Sequence, residues 1–532
     1  MKNLLGQNFF LVLTAAVCFC TTVRAQDLDM IGVTVLRAAV ATNVDGSGMR
    51  VAQAEASLTS DLLTWEVNPA KVGKPMSLFT YFSAAGSASV YPNSLGTNSW
   101  HAEEVGNDFY GIPYGVATNV AHVDIFEADH FISYYISNLL PMPADPVVNQ
   151  SFTFGALDVS KQQAVDSAYD DYSETFGTFF VSAACNSGIS VKVCAPGTSY
   201  NCISVGAYAN STYYNSIGPT IDNGRCKPDI TAPSNLTSFS TPQVSGAATV
   251  LMQAALRGDG GSDTNSAFDL RTIKALLLNG AVKPANWTNS SSSPLDARYG
   301  AGVVNVFNSY EQLTGGKHHF IVSTFNPANY PQLPPENSNS IAVLSGWDFN
   351  TNSTTATNDS ENHYFFNVTS AANSGSFMAT ATLVWNRQFS QTNINNLDLF
   401  LFNTVNSNLI ACSTSLVDNV EHIFLPQLAA GRYDLQVWKA GGANVVSDSE
   451  TYALAWEFVS SRLSIAKSGT NAALMWPAYP AGFLVETTTN LAPPVNWVAL
   501  TNFTSIVTNN QNRLILGATN NQQFFRLRRP NL

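Results

Sequence analysis

One stretch of this 532-residue chain sets a nucleophile in a backbone position that favours its chemistry. Thr237-Ser238-Phe239-Ser240-Thr241-Pro242-Gln243-Val244-Ser245-Gly246 is a small-residue turn that carries Ser238 and leads directly into an apolar helical pattern. The first turn of a helix presents free N–H groups and the positive end of the dipole. A serine there suits attack on a carbonyl, because the oxyanion that develops is stabilised where it forms. The plainer reading is a serine capping an ordinary buried helix. A serine hydroxyl needs a base, normally histidine, and the histidine needs an orienting carboxylate. The chain holds only seven histidines. Taken alone, a histidine at the head of a helix, such as His101 before Val105 and Phe109, is as readily a surface or capping residue.

The Ser238 stretch resembles the serine motif of the subtilisin-like proteases, G-T-S-x-[AS]-x-P-x-[VA]-[AS]-G, with Leu236 in place of the first glycine. Three further segments resemble motifs of that family. Ser99-Trp100-His101-Ala102-Glu103-Glu104-Val105 is similar to its histidine motif, H-[GA]-T-x-V-A-G. Asp45-Gly46-Ser47-Gly48-Met49-Arg50-Val51-Ala52-Gln53-Ala54-Glu55 looks like its first strand, G-x-G-V-x-V-A-V-[IL]-D, with Glu55 in place of the final aspartate. Ala183-Ala184-Cys185-Asn186-Ser187-Gly188 resembles A-A-G-N-x-G, with Cys185 in place of glycine. The resemblance implies a secreted serine endopeptidase in which Ser238 attacks, His101 is the base, Glu55 orients His101 and Asn186 donates to the oxyanion. The order acid, His, Asn, Ser is the subtilisin order and differs from the chymotrypsin and α/β-hydrolase orders. Glu55 carries one methylene more than aspartate, which moves its carboxylate by about one C–C bond, ~1.5 Å. A site displaced on that scale can lose about 100-fold in rate. Two alternatives stay open: a catalytically impaired subtilase scaffold that binds without cleaving, and a surface or polysaccharide binder acting through aromatic platforms on Trp385, Trp438, Trp456, Trp476 or Trp497, although all five fall in strand-like runs, where core packing is the more usual role.

These residues need a scaffold, and the patterning supplies one. Continuous apolar runs at 49–56, 121–126, 178–185 and 202–209 alternate with helical segments across residues 28–312. That alternation predicts an α/β unit with a mostly parallel sheet covered on both faces. Its ligand sites are expected at the carboxyl ends of the strands. Residues 316–460 read as a β-sandwich, with strand signals separated by Asn-, Ser- and Gly-rich turns. Residues 461–532 read as a small β module, similar only in composition to C-terminal domains of secreted bacterial proteins. The expected division is therefore 1–25 signal peptide, 26–315 peptidase domain, 316–460 sandwich and 461–532 C-terminal module.

The signal peptide is read from Lys2, the apolar run at 9–20, and the small residues Val23 and Ala25 that flank a cleavage site before Gln26. Between Gln26 and Gly46 there is no room for the inhibitory propeptide domain many subtilases carry. Export permits disulfides among Cys185, Cys194, Cys202 and Cys226, with three possible pairings, and leaves Cys412 a free thiol. The chain is acidic, with 25 Lys and Arg against 37 Asp and Glu, which argues against a nucleic-acid partner. A protein or peptide substrate is expected, and no membrane partner once the signal is removed. The chemistry requires no cofactor. Structural calcium is common in such proteases, but no D-x-D-x-D loop locates a site.

Overall fold

The computed structural model describes residues 21–528, apart from 41–42, 210–214, 322–342, 354–360, 369–376, 442–444, 461–462, 470, 478–482, 493–494, 501–505, 509–510 and 518–521. The apolar run at 9–20 lies outside the described residues.

The α/β unit is built on an eight-stranded sheet. Its strands are β1 (Arg50–Glu55), β2 (Phe79–Ser83), β3 (Gly86–Ala88), β4 (His122–Glu127), β5 (Val147–Gln150), β6 (Phe179–Ala183), β7 (Ile203–Tyr208) and β8 (Ile230–Pro233). They lie in the order β8-β7-β6-β5-β1-β4-β2-β3. All neighbours run parallel except the β2–β3 hairpin at one edge. Strands β5, β6 and β8 are buried along their whole length, as a sheet covered on both faces requires. Because side chains alternate, β1 sends Val51, Gln53 and Glu55 to one face and Ala52 and Ala54 to the other.

The helices that cover this sheet are α1 (Thr21–Met30), α2 (Val33–Ala39), α3 (Trp100–Phe109), α4 (Val159–Phe176), α5 (Thr237–Arg257), α6 (Leu270–Asn279) and α7 (Val306–Thr314). The Val51 face packs with α3, α5, α6 and α7 into one large core. The Ala52 and Ala54 face packs with Phe126, Phe180 and the α4 residues Val165, Tyr169 and Tyr172. Helix α5 packs closely on the segment after α3 because Gly246 has no side chain: a Cβ there would stand 2.5 Å from the Val116 side chain. The expected cleavage before Gln26 falls inside α1, while Ile31, Val33 and Leu36 beyond it are buried in the main core.

Two antiparallel four-stranded sheets follow. One pairs β9 (Ser345–Ser353), β16 (Ser449–Ser460), β11 (Phe377–Trp385) and β14 (Val420–Leu428), in that order. The other pairs β10 (Glu361–Val368), β15 (Gly431–Lys439), β12 (Leu397–Asn403) and β13 (Leu409–Ser413). Their inner faces share one core, centred on Tyr364, Phe366, Trp385, Leu399, Leu435 and Trp456. This is the expected β-sandwich, attached to the α/β unit. The first of its sheets is buried on both sides, since Trp347, Val384, Ala453 and Ala455 join the core under α6 and α7. Asn279 at the end of α6 accepts hydrogen bonds from the Thr380 and Thr382 hydroxyls, both at 2.9 Å. Beyond residue 463 two smaller antiparallel sheets enclose a minor core of Leu474, Trp476, Val485, Leu514 and Leu516.

The tryptophans follow the strand-like runs in which they lie. Trp385 and Trp456 are fully buried and Trp476 is 7% exposed, so these three are core side chains and cannot form a sugar-stacking platform. Trp497 is half-buried, with the Arg526 guanidinium 4.5 Å from its ring centroid.

Candidate active site

The carboxyl end of β1 and the amino ends of α3 and α5 meet on one face of the sheet. Glu55 is the last residue of β1 and 1% exposed. His101 is the second residue of α3, whose first turn is capped by the Ser99 hydroxyl accepting from the Ala102 N–H. The His101 Nδ1 lies 2.9 Å from Glu55 Oε2. The longer side chain therefore reaches the imidazole from the expected strand end. A carboxylate on Nδ1 fixes that nitrogen as the protonated one and turns Nε2 into the acceptor. His101 Nε2 is buried and has no hydrogen-bond partner among the described residues.

Ser238 is the second residue of α5 and 8% exposed. The helix is capped by Leu236 without a side-chain hydrogen bond, so the capping reading of Ser238 does not hold. The Ser238 hydroxyl donates to the Ser151 carbonyl oxygen at 3.3 Å, a long bond. The next side chain, Phe239, lies with its ring 5.7 Å from the His101 ring. The Thr237 N–H goes to Asn186 Oδ1 at 2.9 Å, and the Phe239 and Ser240 N–H groups go to the Leu236 carbonyl. The Ser238 N–H has no acceptor among the described residues.

The segment after β5 clasps this turn. The Ser151 hydroxyl donates to the Ser238 carbonyl at 2.8 Å, the Asn149 amide donates to the Ser151 hydroxyl, and Ser245 of α5 donates to Asn149. Asn186 follows β6 and is half-buried. Its Oδ1 receives both the N–H and the hydroxyl of Thr237, at 2.9 and 3.0 Å. That pair fixes the amide orientation and leaves Nδ2 as the outward donor.

Cys185, beside Asn186, has φ 98°, a conformation that glycine adopts freely and other residues only under strain. The glycine of the A-A-G-N-x-G pattern has this physical reason. The Cys185 thiol meets Cys194, Ser187, Thr153 and Ser216. These contacts, Cys194 foremost, hold it below the ordinary thiol range despite burial. All five cysteines described are free thiols. Cys412 is half-buried, on the outer strand β13.

Sequence reasoning passed over Gln53. It is fully buried on β1, on the same face as Glu55, where the motif has valine. Its Nε2 donates to Glu55 Oε1 and to the Ala102 carbonyl, both at 2.9 Å. An amide in the middle of an apolar strand, two residues before the acid, was the signal.

A sequence model of the subtilase family matches residues 40–302. This part of the chain belongs to the subtilase family. The segments that form the site all lie within the match. Among solved structures, the chain is similar to the prenylagaramide maturation protease PagA, at 18% identity over 54% of this chain and 99% of that one, TM-score 0.35. It is also similar to a cold-adapted subtilisin-like serine proteinase, at 19% identity over 50% and 89%, TM-score 0.32. A protease from Pseudoalteromonas arctica PAMC 21717 matches at 17% identity over 51% and 91%, TM-score 0.32. No curated protein matches the chain. Among the described residues of this subtilase, no group of three or more His, Cys, Asp or Glu side chains is placed to hold a metal ion. No described helix is long and apolar enough to cross a membrane.

Proposed function

We propose that this subtilase is a secreted serine endopeptidase acting through Glu55, His101 and Ser238, with Asn186 as oxyanion donor. The observation that carries the reading is the buried Glu55–His101 contact of 2.9 Å, together with an imidazole Nε2 that has no partner among the described residues. A buried ring nitrogen left bare costs stability, on the order of 1–3 kcal/mol. It is the atom that a general base must keep available.

The chemistry follows from these positions. Rotation of the Ser238 side chain exchanges its long bond to Ser151 for His101 Nε2. As Ser238 Oγ attacks the scissile carbonyl, its proton passes to Nε2, and Glu55 stabilises the imidazolium through Nδ1. The carbonyl oxygen becomes an oxyanion between the Ser238 N–H and Asn186 Nδ2. His101 then returns the proton to the leaving amine, and water releases the acyl group by the same steps reversed. This route uses no cofactor. Calcium, if this subtilase carries it, would serve the fold. Export rests on the residues before Gln26.

A fluorophosphonate probe tests the reading. Folded wild-type protein should be labelled on Ser238, and Ser238→Ala should abolish both labelling and peptide hydrolysis, by ~10⁶-fold in kcat. Folded wild-type protein that resists the probe would establish the non-cleaving binding scaffold instead.

A further inference from the structure

We propose that Gln53 is a positioning residue that fits a glutamate into the place of the family's aspartate, by clamping the Glu55 carboxylate and tying it to the helix that carries His101. The inference rests on the catalytic reading above and names a residue of that site at which the chain departs from the family motif.

Three observations converge on Gln53. First, its hydrogen bonds account for the whole amide. Nε2 donates to Glu55 Oε1 and to the Ala102 carbonyl, at 2.9 Å each, and Oε1 receives the Tyr110 hydroxyl at 2.6 Å. Two of these neighbours, a carboxylate and a carbonyl, can only accept. The nitrogen must therefore face them, and the amide has one permitted orientation. Burial raises the Tyr110 phenol well above its usual range, so it remains a donor at every working pH.

Second, the clamp divides the Glu55 carboxylate between two donors. Oε1 is held by Gln53, and Oε2 lies 2.9 Å from His101 Nδ1. A glutamate has one more side-chain torsion than an aspartate and so more ways to miss the ring. A donor on the second oxygen removes that freedom.

Third, the amide bridges two elements. It lies on β1 with the acid and bonds the carbonyl of Ala102, the residue that follows His101 on α3. The acid and the base are thereby held in one register. Burying an amide without partners is costly. A valine would fill the strand position without that demand, and the first-strand motif has valine there. Two of the departures from the motif, Gln53 and Glu55, touch each other.

The experiment compares Gln53→Val with wild type by kcat, KM and pH profile on a peptide substrate, per fluorophosphonate-titrated site. Losing the clamp should lower kcat by about 10- to 100-fold with KM nearly unchanged, as misplacement of a catalytic group does. The acidic limb of kcat/KM should move to higher pH, because a carboxylate that loses a donor becomes more basic. The double variant Gln53→Val/Glu55→Asp should recover part of the loss, since the shorter acid has less freedom to restrain. A merely structural role would lower thermal stability while leaving kcat per titrated site and the pH limb in place, and that result overturns the proposal. If Gln53→Val does not fold, Tyr110→Phe reads the same clamp from its far end. It should lower kcat by roughly 3- to 10-fold and move the limb in the same direction, and an unchanged kcat and limb would equally overturn the proposal. A wild-type protein that never labels would fail the catalytic reading itself. A wild type that labels, alongside a Gln53→Val that matches it, would fail the clamp alone.

Discussion

Two of the places where the molecule buries charge are treated differently. At the carboxyl end of β1, Glu55 meets His101, whose other ring nitrogen is left bare. Where the subtilase sheet meets the sandwich, Arg225 is 1% exposed and each of its nitrogens is placed. Nη2 bonds Asp166 at 3.2 Å and Asp222 at 2.6 Å, Nη1 donates to the Thr198 carbonyl and Nε to Asn223. The guanidinium lies 4.0 Å from the centroid of the Tyr200 ring. The neighbouring backbone crosses into the sandwich: the Cys226 N–H donates to Asp418 and Asn419 donates to the Tyr200 carbonyl. Asn201 clasps both backbone groups of Arg387. A cluster whose groups are all paired has one stable arrangement and serves as a joint. A cluster with one buried atom left over keeps an acceptor available, as the proposed mechanism requires.

The contrast makes distinct predictions. The largest effect on stability should come from the joint. Arg225→Leu leaves Asp166 and Asp222 buried without their cation and should cost ~3–5 kcal/mol, seen as a lower urea midpoint, with kcat per titrated site close to wild type. An unchanged midpoint would mean that the joint is not held by charge. At the site, the order reverses. Asn186→Ala should lower kcat by about 10²–10³-fold with only a small change in melting temperature. A variant that loses KM alone would remove Asn186 from the oxyanion.

Cys185→Gly probes strain rather than charge. Relieving the positive φ should stabilise the protein by about 1 kcal/mol, measured by chemical denaturation, and leave hydrolysis intact. Destabilisation instead would show that the thiol contacts outweigh the backbone strain.

The smallest effect concerns an acid with neither partner. Asp398 in β12 receives a hydrogen bond from Asn396 at 3.3 Å, and burial pushes its carboxyl up to about 7. Its unfolded value is ~3.9, so the fold favours the neutral form. That contribution is fully present below pH ~4 and is lost as pH rises through the folded value. The melting temperature should therefore fall between pH 4 and 8, and Asp398→Asn should flatten the slope by on the order of a few °C. An equal slope in both proteins would assign the pH dependence to other carboxyls.

The local motifs were legible because each is a short run of fixed residue types. Ser238, His101, Glu55 and Asn186 stand out by their neighbours in the chain, and the alternation of apolar runs with helical segments gave the parallel sheet that carries them. Gln53 was not legible in that way. Its meaning depends on Tyr110 and Ala102, which are distant in sequence and adjacent only once α3 lies over β1. The tryptophans were legible by contrast, since their strand-like runs pointed to core packing and Trp385, Trp456 and Trp476 are buried.

By itself, the sequence determined the order of the chemical groups, the α/β class and the sandwich that follows, because these depend on local type and periodicity. The tertiary structure alone decided whether a glutamate could stand where aspartate is usual. That question turns on about one bond length, and on which donors occupy the far side of the carboxylate. Only the packing of β1 against α3 fixes them.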